Sequence, residues 1–272
     1  MKLYRHQLLK FFLLFILSIT TSISLQSCLD SGQEISAGSS STSSQITVSA
    51  AASLSDVMAA IQPLYTQQNP NVKLTYNFGS SGSLQQQIEQ GAPVDVFISA
   101  APKQMNNLEQ KELLLPETRK NILTNSMVLV VPEGKENISS FEDLTQNNIQ
   151  RIAIGEPESV PAGRYAKEVL SSLNLFKTLE SKIIYAKNVR QVLNYVETGN
   201  IDAGIIYQTD AKISEKVDIV ATAPTGSHSP IIYPVAVIKD SKNSEIAQAF
   251  ITFISDNQTQ EVFEQHGFKG AS

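Results

Sequence analysis

The chain has 272 residues, 42% hydrophobic and 17% charged, an ordinary composition for a globular protein with room for two lobes and a large core. Its 26 acidic and 21 basic residues give a formal net charge of −5, and no concentrated basic face is visible, which argues against nucleic acid as a partner. A single cysteine excludes any disulfide within the chain.

Lys2, Arg5 and Lys10 precede an apolar run over 11–17 that continues, mixed with Ser and Thr, as far as Leu25. A basic start before a short apolar core reads as a signal peptide over 1–27, and the run falls short of the roughly 20 residues a spanning helix needs. Cys28 follows directly in Leu25-Gln26-Ser27-Cys28. This resembles the lipobox of bacterial lipoproteins, whose cysteine becomes the lipid-modified N-terminus, although Gln26 departs from the small or branched residue usual there. Signal cleavage leaving a free thiol is the alternative. Residues 28–45 read as a lipid-anchored, Ser-rich linker whose composition cannot bury a core. As a flexible coil it reaches roughly 20–25 Å, enough to hold a domain just off a membrane surface.

From residue 46 onward, short β-branched or apolar runs alternate with helical patterns. The runs are 46–49, 72–78, 94–99, 127–131, 151–154, 183–185, 203–207, 217–221 and 235–238. Such alternation predicts an α/β fold with crossover connections and mainly parallel sheets. A first helix is predicted from Ser53, with Ser53 to Asp56 as a capping box, Val57, Ile61 and Leu64 inward, and Pro63 kinking or shortening it. A second begins near Ser83, with Leu84 and Ile88 inward and Gly91 as its stop. A third follows Pro161, with Tyr165, Val169 and Leu173 on one side. A fourth starts at Asn188, an N-cap with Gln191 three residues on, buries Val189, Val192 and Val196, and ends at Gly199. Two lobes suit the pattern better than one sheet. The predicted crossings near 123–125 and 223–229 give a first lobe over 46–124, a second over 125–225, and a return of the C-terminal strand and helix to the first over 226–272.

Four turns carry the functional signal: Ala50-Ala51-Ala52-Ser53, Gly79-Ser80-Ser81-Gly82-Ser83, Pro161-Ala162-Gly163 and Lys187-Asn188-Val189-Arg190. Each stands at the C-terminal end of a strand and the N-terminal end of a helix, the side on which open α/β sheets bind ligands. A helix start offers unsatisfied N–H groups and a partial positive charge. Singly, each turn is ordinary punctuation. Jointly they supply serine hydroxyls and backbone donors with no full positive charge, a set that suits a dehydrated oxyanion. Tyr207 ends an apolar strand, and its hydroxyl either finds a local partner in the core or points into the cleft between lobes.

Enzyme readings are weaker. No G-x-S-x-G elbow, G-x-G-x-x-G fingerprint, P-loop, C-x-x-C or H-E-x-x-H is present. His228 lies in a Pro/Gly-rich loop, expected to be exposed, and His266 near the C-terminus, so a Ser-dependent hydrolase would need a distant histidine to reach Ser53 or Ser81.

Ala50-Ala51-Ala52-Ser53-Leu54, Phe78-Gly79-Ser80-Ser81-Gly82-Ser83-Leu84, Gly91 to Ala100, Val160-Pro161-Ala162-Gly163 with Tyr165-Ala166-Lys167, Asn188-Val189-Arg190 and Gly204-Ile205-Ile206-Tyr207 occur in one order. Together they resemble the periplasmic molybdate-binding proteins of molybdate ABC importers, over about residues 45–268. The resemblance implies a type II periplasmic binding protein fold, two lobes with a ligand cleft between them, closing on molybdate or tungstate and delivering it to an ABC permease. It implies donation by Ser53 and Ser81 from hydroxyl and N–H, by Ala162 and Val189 from N–H, and by Tyr207 from its phenol. Molybdenum would then be held only through the oxyanion's oxygens, with no direct metal ligand, no cofactor and no catalysis. The expected protein is a monomer, periplasmic or at the cell surface, anchored through Cys28. Another tetrahedral oxyanion, sulfate or phosphate, remains the alternative ligand.

Overall fold

The computed structural model describes residues 44–271. The predicted signal peptide, Cys28 and most of the predicted linker lie outside the described residues. The chain runs through β1 (Ser44–Ala51), α1 (Ser55–Gln68), β2 (Val72–Gly79), α2 (Ser81–Glu89), β3 (Val96–Ile98), α3 (Pro102–Gln110) and β4 (Lys120–Thr124). It crosses to β5 (Met127–Pro132), β6 (Ile152–Gly155), α4 (Pro161–Ser172), α5 (Phe176–Leu179), β7 (Ile183–Ala186), α6 (Val189–Glu197), β8 (Ala203–Tyr207), α7 (Gln208–Lys212) and β9 (Val217–Thr222). It returns through β10 (Ile232–Val237), α8 (Ser244–Ile254), α9 (Asn257–Gln265) and β11 (Lys269–Gly270). One sheet has the order β11-β4-β10-β3-β1-β2 and the other β7-β6-β8-β5-β9. The linker prediction runs slightly too far, since β1 begins at Ser44 and pairs from there with Val72.

The sheets are mixed, which corrects the expectation of mainly parallel strands. β1 runs parallel to β2 and β3, and β6 to β7 and β8. β10 is antiparallel to β3 and β4, β11 to β4, and β5 to β8 and β9. β5 and β10 enter their sheets from the other sheet and not over a helix on the same one, so the crossover rule that makes neighbours parallel does not govern them. Only Asn125 and Ser126 separate β4 from β5, so the passage between sheets is short.

Helix starts differ from the predictions in instructive ways. A single 3₁₀ turn, Ala52–Leu54, precedes α1, and neither start has a side-chain cap. Ser53 is buried and its hydroxyl is engaged elsewhere, so the predicted capping box does not form. α1 continues through Pro63 to Gln68. Pro63 and Ala59, whose carbonyl loses its helical partner, are both exposed, so that oxygen is open to solvent. α2 starts at Ser81, earlier than predicted, because Ser80 is the cap and accepts the Ser83 N–H at 3.2 Å. α6 forms as its sequence specifies. The Asn188 side chain accepts the Gln191 N–H at 2.9 Å, the Gln191 side chain accepts the Lys187 N–H at 2.7 Å, and Gly199 ends the helix at φ +68°.

Candidate functional site

The strand-to-helix turns after β1, β2, β6 and β7 meet in one compartment between the two sheets. It is lined by Ala51, Ala52, Ser53, Gly79, Ser80, Ser81 and Ala100 from one side, and by Val160, Pro161, Ala162, Asn188, Val189 and Tyr207 from the other. Its empty volume is about 210 Å³, mouth included. Because part of that volume is the open mouth, the enclosed space is smaller still and suits a compact ion. Ser53, Ser81, Ala162, Val189 and Tyr207 all line it, and all are buried.

Each donor is aimed by its local structure. Ser81 opens α2, Ala162 lies in the first turn of α4, Val189 opens α6 and Ser53 lies in the 3₁₀ turn, positions whose N–H groups have no partner within their own helix. The Ser81 hydroxyl oxygen accepts the Ala100 N–H at 2.9 Å, which leaves its own proton free for the compartment. Gly163 lets the first turn of α4 seat directly on β6, since a Cβ there would lie 1.9 Å from the Gly155 carbonyl oxygen. Across the compartment the Gly82 N–H donates to the Ser159 carbonyl at 2.9 Å, and a Cβ at Gly82 would come within 2.5 Å of that oxygen. The two sides therefore touch backbone to backbone at the rim.

The Ser53 hydroxyl belongs to a chain whose direction can be read. The Ser126 N–H donates to Asn125 Oδ1 at 2.9 Å, which fixes the other amide atom as the donor. That Nδ2 reaches Thr209 Oγ1 at 2.9 Å and the Tyr233 hydroxyl oxygen at 3.2 Å. Tyr233, accepting from Asn125, has its one proton left for Ser53 Oγ at 3.0 Å, and the Ser53 proton is left for the compartment. The Tyr207 hydroxyl is buried and has no partner among the described residues, so the reading in which it points into the cleft describes it better than a satisfied core tyrosine. Burial, with Tyr233 and Tyr165 close by, pushes its phenol well above the usual tyrosine range.

No charged side chain lines the compartment. The 3₁₀ turn, α2, α4 and α6 carry no acid in their first turns, so nothing opposes the partial positive charge of their N-termini. The sequence reading found no full positive charge at these turns, and Arg190 requires a correction. Its guanidinium donates to the Ser53 carbonyl at 3.3 Å, with Nε 2.6 Å from Asp210 Oδ1 and an Nη 2.6 Å from Asp56 Oδ2. Asp210 is fully buried, and burial pushes its carboxyl up to about 7 against the pull of Arg190.

Neither candidate histidine takes part. His228 is partly covered, not exposed as expected: its Nδ1 lies 2.7 Å from the Ser229 carbonyl and its ring packs edge-on against Tyr165. His266 Nδ1 lies 2.8 Å from the Val262 carbonyl. No histidine lines the compartment, and no metal-binding cluster of His, Cys, Asp and Glu occurs among the described residues. Sequence reasoning missed Asn125, Tyr233 and the Arg190 ion pairs. Tyr233 stands inside a β-strand with no cap to mark it, and Asp210 stands in the polar run Gln208-Thr209-Asp210-Ala211-Lys212, which reads as a surface segment.

The family described as bacterial extracellular solute-binding protein matches residues 46–269. A Bacillus subtilis protein, YvgL, assigned as an ABC transporter substrate-binding lipoprotein, is 41% identical over 94% of this chain and 96% of its own. The molybdate-binding protein ModA of Haemophilus influenzae is 36% identical over 83% of this chain and 90% of its own. Among solved structures, a substrate-binding domain assigned to a molybdenum ABC transporter of Clostridium difficile is 46% identical, covering 85% of this chain and all of that one, with a TM-score of 0.67. The periplasmic molybdate-binding protein of Azotobacter vinelandii, 23% identical, covers 84% of this chain and all of that one with a TM-score of 0.77 and shares the fold. The two sheets with their helices are the two lobes of that fold.

Proposed function

Because the chain belongs to the bacterial extracellular solute-binding protein family, we propose that it is a receptor that captures molybdate (and tungstate) outside the cytoplasm and delivers it to an ABC permease. The observation that carries this reading is the meeting of Ser53, Ser81, Ala162, Val189 and Tyr207 in one small compartment without a charged side chain. Ser53 and Ser81 donate from hydroxyl and N–H, Ala162 and Val189 from N–H, and Tyr207 from its phenol. Hydrogen bonds to a charged acceptor are about twice as strong as neutral ones, and a dry cleft strengthens them further. The names of the relatives support molybdate as the ligand. Selectivity follows from size: a ring of donors spaced for a large tetrahedral anion leaves gaps around sulfate or phosphate, and unmet buried donors are costly.

In this reading the first lobe comprises 46–124 and 226–272, the second 125–225, and the anion bridges them. The protein is a monomeric receptor and not an enzyme, with molybdenum reached only through the oxyanion's oxygens. It works outside the cytoplasm, held at the membrane by acylation of Cys28. A lipoprotein among its relatives supports the anchor. Stable anchoring takes more than one chain, so multiple acylation is implied.

A thermal-shift screen of oxyanions tests the function. Ligand at about a hundredfold excess over Kd raises stability by roughly 2.7 kcal/mol. Molybdate and tungstate should reach this while sulfate and phosphate do so weakly; equal shifts with sulfate overturn the selectivity. For the anchor, Cys28→Ser should move the protein from the membrane fraction or stall its processing, and a soluble wild type would contradict it.

A further inference from the structure

Arg190 carries a charge close to the compartment, and its three contacts are divided between the lobes. Nε lies 2.6 Å from Asp210 Oδ1 on α7 of its own lobe. The other two cross to the first lobe: an Nη lies 2.6 Å from Asp56 Oδ2 on α1 and donates to the Ser53 carbonyl at 3.3 Å. The two carboxylates are unequal. Asp210 is fully buried and neither of its oxygens has a hydrogen-bond partner among the described residues, so Arg190 is its only compensation. Removing one partner from a buried pair leaves an uncompensated charge, which holds the guanidinium to Asp210 whether the lobes are open or closed. Asp56 is half-exposed, at 49% of its side-chain surface, and water can take over its solvation when the lobes part. One end of the contact is therefore fixed and the other releasable. The backbone of Arg190 follows Val189, and its guanidinium touches the carbonyl of Ser53, so the contact sets those two donors in register across the cleft.

Resting on the oxyanion-receptor reading, we propose that Arg190 is an interlobe latch: anchored on Asp210, it closes onto Asp56 and the Ser53 carbonyl and thereby sets how long the closed receptor retains its ligand. Arg190 is a positioning residue, since it does not line the compartment. The partner half of the pair is the safe place to test it, because Asp56→Asn keeps shape and solvation on an exposed helix face and leaves Asp210 compensated.

Stopped-flow dissociation of molybdate should be measured for the whole chain as wild type, Asp56→Asn and Asp56→Lys. The latch predicts about two- to fivefold faster release from Asp56→Asn, the range expected for breaking a half-exposed ion pair, and faster release still from Asp56→Lys. Between about 0.05 M and about 0.5 M salt the wild type should approach Asp56→Asn, because salt screens the pair. A purely structural role for Asp56 would show instead as a lower melting temperature without that salt dependence. Equal release rates for all three proteins at low salt overturn the latch. Small-angle scattering of the ligand-free proteins at low salt supplies an arm that needs no ligand. A larger radius of gyration in Asp56→Lys than in wild type supports the latch, and identical curves count against it. Failure of the wild type to bind molybdate overturns the ligand assignment alone and leaves the scattering arm to decide.

Discussion

The hydroxyl oxygen of Ser53 lies 3.0 Å from the phenol oxygen of Tyr233, 180 positions further along the chain. The Asn125 amide directs the Tyr233 proton onto Ser53, and so directs the Ser53 proton into the compartment. Asn125 stands in the two-residue passage between the sheets and also holds Thr209 of the second lobe, so the passage, the first lobe and the binding residue form one hydrogen-bonded unit. Tyr233→Phe removes the donor that orients Ser53 without touching the compartment. Molybdate affinity should fall about two- to tenfold, the range of one neutral hydrogen bond, measured by calorimetry beside a melting curve. Unchanged affinity would place Ser53 outside the donor set or show its proton oriented without Tyr233.

Gly82 tests closure. A methyl there would sit 2.5 Å from a backbone oxygen of the opposite lobe, and backbone cannot swing aside as a side chain can. Alanine favours α2, so Gly82→Ala should fold at least as stably as wild type. Its closed form should be depleted and its apparent molybdate affinity lowered by at least about tenfold, in proportion to the loss of the binding-competent population. Scattering on ligand addition should show little contraction. Wild-type contraction and affinity in this variant would mean that the Gly82 to Ser159 contact is not required for binding.

Tyr207→Phe separates a binding hydroxyl from a structural one. The group is buried and has no partner among the described residues, so its removal takes away an uncompensated polar atom. The ligand-free variant should melt at or above the wild-type temperature, while molybdate binding weakens by roughly ten- to a hundredfold through loss of a hydrogen bond to a charged group. A lower melting temperature with intact affinity would reverse the assignment.

The same phenol gives a signed pH prediction. Burial raises its pKa above the ordinary tyrosine value of about 10, so the folded protein holds a proton that the unfolded chain releases. Its contribution to stability is fully present below that ordinary value and is lost as pH rises through the elevated one. As a donor it should persist to at least about pH 10. The affinity ratio between wild type and Tyr207→Phe should then be constant from about pH 7.5 to about pH 10, measured by calorimetry. A ratio falling toward one in that range would mean that Tyr207 ionises as an exposed tyrosine does.

Much of this architecture is legible in the sequence because its signals are local. A cap such as Asn188 with Gln191, a helix stop such as Gly199 and buried runs such as Ile152–Gly155 are specified within a few residues. The same locality brings out Ser81, Ala162 and Val189, which owe their role to a helix start. The capping-box motif at Ser53 shows its limit, because a tyrosine from a distant strand competes for that hydroxyl and prevails. Strand direction is not legible for a related reason: β10 pairs with β3 and β4 after an excursion through the whole second lobe, and no short window records that. The Arg190 contacts likewise join separate elements, linking α1 to α6 and α7 through charges that each read as ordinary surface residues.

Titration calorimetry of the chain with molybdate, tungstate, sulfate and phosphate in turn tests the central claim most directly. A neutral donor ring sized for a large tetrahedral dianion predicts one site per chain for molybdate and tungstate, with sulfate and phosphate weaker by at least about a hundredfold, equivalent to roughly 2.7 kcal/mol. Sulfate or phosphate binding as tightly as molybdate, or molybdate giving no heat in a folded protein, would contradict it.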